Sequence, residues 1–76
     1  MEIEKSEIAI KTEYIKLDQL LKFSGIAEHG AMAKDMIRDE IVSVNGEICT
    51  MRGKKIRKGD IICAEFEDAL LELTVV

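Results

Sequence analysis

Arg52, Lys54, Lys55, Arg57 and Lys58 put five cations into the seven residues from 52 to 58, in a chain whose formal net charge is −4. Ammonium and guanidinium groups at that density are ligands for phosphates, and a nucleic-acid backbone offers phosphates in series. Lys34 and Arg38 are spaced i,i+4, which puts both on one face of a helix. Lys16 and Lys22 stand on or beside an earlier helix and are further candidates. A cationic loop alone is most often a solvated surface; it is the second cluster that raises it toward a backbone-following patch. Asp18, Asp35 and Asp39 oppose that reading, since Asp18 is i,i+4 from Lys22 and the other two flank Lys34 and Arg38.

Catalytic chemistry has little to start from. The sequence contains no GxGxxG, Walker A, HExxH or GxSxG motif. Glu28-His29 is the one adjacent acid–imidazole pair, and without an evident Ser or Cys nucleophile beside it His29 is expected to be a cap or a surface residue. Cys49 and Cys63 lie in β-prone runs and form no CxxC pair; with His29 they supply three separated candidates where structural zinc takes four ligands. They are expected as buried free thiols, and a non-enzymatic protein without metal or cofactor is the expectation.

The charge is unevenly spread. Residues 1 to 13 carry four acids and two bases, residues 14 to 63 nine bases and seven acids, and residues 64 to 76 four acids and no base. The middle is therefore basic between acidic ends, and the local field outweighs the total because charges beyond about 8 Å are screened at physiological salt. With 76 residues, 47% hydrophobic and 34% charged, the chain suits one small globular domain with a thin core. Its apolar runs are too short for a signal peptide or a membrane span, so a cytoplasmic location is expected.

Periodicity places the elements that must hold these cations. Met1 to Lys5 is expected to fray, and Glu7 to Thr12 alternates in the manner of an edge strand within a flanking segment 7–14. Leu17, Leu20, Leu21 and Ser24 fall at i, i+3, i+4 and i+7, predicting a short helix from Leu17 to Phe23 closed by Ser24-Gly25. Ile26 to His29 connects to a second helix opening at Gly30, with Ala33, Met36 and Ile37 on its packed face. Ile41, Val42 and Val44 lead into Asn45-Gly46, the strongest short hairpin signal, and Glu47 to Thr50 returns into the basic loop, which Ile56 anchors. Ile61 to Phe66 reads as a strand buried mostly at its start, and Leu70 to Val76 as a last strand, with Ala69 to Leu71 open to a helical turn as well. The fold class is α+β, two short helices packed on a small, mainly antiparallel sheet.

The segments IKLDQLLKFSGI, GAMAKDMIRDEIVSVNGEI and KKIRKGDII, in that order between Ile15 and Ile62, resemble the S4 RNA-binding domain. That module occurs in a small-subunit ribosomal protein, pseudouridine synthases, some aminoacyl-tRNA synthetases and a ribosome-linked heat-shock protein. The resemblance covers about two-thirds of the chain, and IKTEYIKLDQLLK with GAMAK is similar to the short stand-alone bacterial members. It implies a single domain over residues 1–76 with its core at 15–62 and flanking strands at 7–14 and 61–76. It also implies RNA as the partner, ribosomal RNA or a ribosome assembly intermediate, with the ribosome or its proteins nearby and no membrane. Many members carry a basic residue where this chain has His29-Gly30; the amides of Ala31, Met32 and Ala33 beside Lys34 could take a phosphate instead, against the more common case in which Gly30 is only a cap and those amides bind water.

Tyr14, Phe23 and Phe66 are the only aromatic residues, and the two phenylalanines are expected in the core, so base stacking has little material. Phosphate and shape contacts through Lys16, Lys22, Lys34, Arg38, Arg52, Lys54, Lys55, Arg57 and Lys58 are the expected mode. The competing reading is a protein-interaction module in which the acidic C-terminal strand region, Glu65, Glu67, Asp68 and Glu72, or an edge strand near it, recruits a partner.

Overall fold

The computed structural model describes residues 2–76, in the order β1 (Glu2–Ile8), β2 (Ile15–Lys16), α1 (Leu17–Phe23), α2 (Gly30–Arg38), β3 (Val42–Val44), β4 (Glu47–Ile48), β5 (Lys55–Ile56), β6 (Ile61–Glu65) and β7 (Ala69–Val75). Both helices occupy the predicted spans because their apolar residues recur on one face: Leu17, Leu20 and Leu21 in α1, and Ala33, Met36 and Ile37 in α2, are buried. These residues close over Val42, Val44, Ile62, Ala64, Leu73 and Val75, which the strands turn to the same side. Each helix ends on a left-handed residue. Gly25 takes φ 85° after α1, and Glu40 takes φ 62° after α2, where Glu40 N–H donates to Ile37 O and Ile41 N–H to Met36 O. That pair of bonds is a Schellman closure, which normally uses glycine at the position Glu40 holds.

The main sheet has the order β1-β7-β6-β3-β4, with a separate two-stranded sheet of β2 and β5. Only the β1–β7 pair is parallel, so the α+β class with a mainly antiparallel sheet stands. Asn45 and Gly46 both have positive φ, as a type I′ turn requires, and Val44 faces Glu47 across it.

Some expectations need correction. The opening residues pair as a strand, and it is not at 7–14: β1 runs from Glu2 to Ile8, while Met1 lies outside the described residues. Every residue of β1 before Ile8 is exposed, so no apolar period advertises the strand. Ile61 to Glu65 alternates between exposed and buried instead of being buried at its start, because helices cover only one face of the sheet. The last strand forms as read, Ala69 to Leu71 taking the strand and not the helical-turn alternative, but β7 lies inside the sheet between β1 and β6, so the acidic C-terminal strand presents no free edge. Among the described residues no helix is long and apolar enough to cross a membrane.

Candidate nucleic-acid interface

The basic loop is tied to the helices by its own main chain. Lys16, the residue preceding α1, offers no side-chain cap, and the orphan amides of Leu17 and Asp18 donate instead to Lys54 O (2.9 Å) and Arg52 O (3.1 Å). The next two residues, Lys55 and Ile56, pair with Lys16 and Ile15, and the Ile56 side chain is fully buried. The loop thus carries exposed cations at 52, 54, 55, 57 and 58 on a backbone fixed at both the start of α1 and the core.

That attachment brings Arg52 to α2. Lys34, Ile37, Arg38, Thr50 and Arg52 line one open cleft of about 420 Å³, so one face of α2 and the near end of the loop share a wall. Arg38 is partly neutralised there, its guanidinium lying 3.2 Å from Asp35 and 3.3 Å from Asp39, whereas Lys34 and Arg52 make no ion pair among the described residues. A second group forms around Tyr14. The Lys55 ammonium lies 4.9 Å and the Arg57 guanidinium 5.8 Å from the ring centroid, and Lys16 stands opposite Lys55 in the β2–β5 register. Arg57 also reaches Glu13 at 4.0 Å. Arg52 and Lys55 are three residues apart, a span of at most about 11 Å, so the two groups adjoin.

The S4 domain profile matches residues 8–72, a span that contains all nine candidate cations. The chain belongs to the S4 domain family. It is also similar to the "Probable ribosome maturation protein RlbA" of Bacillus subtilis (strain 168), at 40% identity over 55 residues that make up 72% of this chain and 78% of that protein.

Within this S4 domain the candidates are not equally placed. Lys22 sits in the last turn of α1, about 7.5 Å along the axis from the end the loop caps, and Asp18 bonds the Gln19 amide in place of pairing with it. Lys58 is at the tip of the turn formed by residues 57–60, whose Gly59 (φ 96°) bonds Val75 O at 2.7 Å. The amides at the start of α2 are largely spoken for. His29 Nδ1 accepts from Met32 N at 3.2 Å and His29 O from Ala33 N at 3.1 Å, which leaves Ala31 as the one unpaired amide of the expected trio. His29 is therefore a cap, and the phosphate site weighed for those amides is largely closed.

Two side chains escape sequence reasoning. Phe23, expected in the core, is 63% exposed, because it falls six residues, or about 240°, from Leu17 and off the buried stripe. Tyr14 proves to be the centre of a cation cluster, a fact set by pairing between strands far apart in sequence. Cys49 and Cys63 are free, though half-buried and not fully so. Burial, and then the Glu72 carboxylate, push the Cys63 thiol up, opposed by a Ser43 hydrogen bond, so it stays protonated and a poor nucleophile.

The far end of the loop is braced against the hairpin. Asp60 Oδ2 accepts from Arg57 N at 2.8 Å and Oδ1 from Asn45 Nδ2 at 3.1 Å, while Asn45 Oδ1 accepts from Ile61 N at 2.9 Å. The Arg57 amide, opposed by burial but assisted by Asn45 and by nearby Lys54 and Arg57 charge, holds the Asp60 carboxyl below the usual aspartate range. Its contribution to stability is thus complete above the unfolded value near 3.8 and is lost as pH falls through the lower folded value. Asp60→Ala is expected to lower unfolding free energy by about 1–2 kcal/mol at neutral pH. Urea unfolding of both proteins checks this: the gap should close as pH drops below the ordinary aspartate range, and a gap that widens there would contradict the brace.

Proposed function

We propose that this S4 domain is a non-enzymatic binder of structured RNA, held through Lys34, Arg38, Arg52, Lys54, Lys55, Arg57 and Lys58, with Lys16 joining them beside Tyr14. The observation that carries the reading is the cleft in which Lys34 and Arg38 of α2 meet Arg52 of the loop. Cations on two elements at a fixed separation can bridge phosphates across a groove or junction, a contact that reads backbone geometry more than base sequence. Lys22, in the last turn of α1, is a further candidate contact. The ribosomal class of RNA, mature or in assembly, rests on family membership and on the name of the B. subtilis relative.

Non-enzymatic action agrees with the side chains that might otherwise react, since His29 is committed to its cap and Cys63 is kept as a thiol. With about five cations engaged, the slope of log K against log salt for a ribosomal RNA fragment should be roughly −3.5 to −4.5, from about −0.7 to −0.9 per neutralised phosphate. Filter binding or fluorescence anisotropy across a salt series measures it. A slope near zero would overturn the mechanism, and failure to recover RNA after crosslinking in cells would overturn the partner class.

A further inference from the structure

The sheet has two ends, and they are unlike. β4 closes one end with two residues, whereas β1 closes the other with seven. The hydrogen bonds of β1 follow the parallel register. Glu2 N–H donates to Asp68 O and Ile8 O accepts from Val76 N–H, which fixes the alternation: Glu2, Glu4, Ser6 and Ile8 turn their main-chain groups toward β7. Ile3, Lys5 and Glu7 therefore turn their N–H and C=O groups outward, to an edge with no strand beside it among the described residues.

β1 does little for the core. Every side chain from Glu2 to Glu7 is exposed, including Ile3 at 58%, and the one ion pair to β7, Lys5 to Glu72, is stretched to 3.9 Å. A strand added on its outer side would complete the ladder and cover Ile3. Charge selects the occupant. Glu2, Glu4 and Glu7 outnumber Lys5 on the strand, and the parallel pairing sets them beside Glu72 and next to the Glu67–Asp68 turn. Nucleic acid is repelled from this edge, and a second copy would bring the same net-negative strand against itself.

We propose that the free edge of β1 docks an extended, lysine- or arginine-rich protein segment as an added strand. Ile3, Lys5 and Glu7 supply its main-chain hydrogen bonds, and Glu2, Glu4 and Glu7 take its cations. This surface is independent of the RNA-binding reading, because it uses none of the same residues.

The test titrates the full chain with a short blocked peptide in which lysine alternates with valine, and follows amide hydrogen exchange residue by residue. Exchange at Ile3, Lys5 and Glu7 should slow about tenfold or more, while a peptide with glutamate replacing lysine should leave it unchanged. Lys5→Pro removes one outward N–H without touching an inward bond and should weaken peptide binding about tenfold, with Glu72 and Thr74 amide protection reporting that β1 remains paired. Should proline dislodge β1, the triple variant Glu2→Gln, Glu4→Gln, Glu7→Gln keeps the strand and should weaken binding by a similar factor. Unchanged affinity in the glutamine variant, protection at Glu47 and Ile48 instead of β1, or dimerisation through β1 without peptide would each overturn the proposal.

Discussion

Lys54→Glu, Lys55→Glu and Arg57→Glu made together should raise the Kd for ribosomal RNA by at least about 100-fold. Three exposed phosphate contacts at about 1 kcal/mol each already amount to roughly 3 kcal/mol, and every 1.4 kcal/mol is a factor of ten. The salt slope should become shallower by about 2–3, since three fewer counterions are released. The fold should survive, because all three side chains are exposed and the cap on α1 uses the carbonyl of Lys54, not its ammonium. Glu at position 55 would even face Lys16 across the β2–β5 pair, exchanging a like-charge neighbour for an opposite one. Electrophoretic mobility shifts with circular dichroism on the same samples measure both outcomes. Binding that persists at the original affinity would place the RNA site elsewhere.

Ile56→Ala should be the most destabilising change within the loop, costing about 2–4 kcal/mol. Its side chain is wholly buried although its neighbours on both sides are exposed, and it is the apolar pin between the basic loop and the helices. For a domain of this size the total stability is only about 4–11 kcal/mol, at 0.05–0.15 kcal/mol per residue, so thermal unfolding should fall by roughly 10–25 °C. RNA affinity should also fall, through loss of the fixed distance between Arg52 and α2 and not through charge. Ile48→Ala, at a side chain 62% exposed, serves as the control and should cost less than about 0.5 kcal/mol. Equal losses in the two variants would mean that Ile56 is not the pin.

The parts legible in the sequence are those with a local period or a local turn chemistry. Leu17, Leu20 and Leu21 announce α1, Ala33, Met36 and Ile37 announce α2, and Asn45-Gly46 announces the hairpin, all within a few residues. The pairing of Lys34 with Arg38 is equally local. The arrival of Arg52 beside them is not, because it depends on amides of α1 choosing carbonyls more than thirty residues away. The β2–β5 pair is two residues long and leaves no alternation to detect, and Tyr14 inherits its cationic setting from that pair. β1 was hidden for the opposite reason: it is long, yet solvent surrounds nearly all of it, so its side chains carry no record of being in a sheet. Phe23 shows that hydrophobic type is weaker than helical phase, since α1 had already defined the stripe from which it departs.

The parallel match of β1 with β7 joins the beginning of the described chain to its end. During synthesis β1 leaves the ribosome before β7 and finds that partner only when residues 69–75 have emerged, so the sheet cannot be finished while translation continues through them. Closing so long a loop for so little buried surface makes this pairing the late step of folding, after the helices and the hairpin have formed the core. The same edge is consequently the first to open again in the native state, and its opening frees one side of β7.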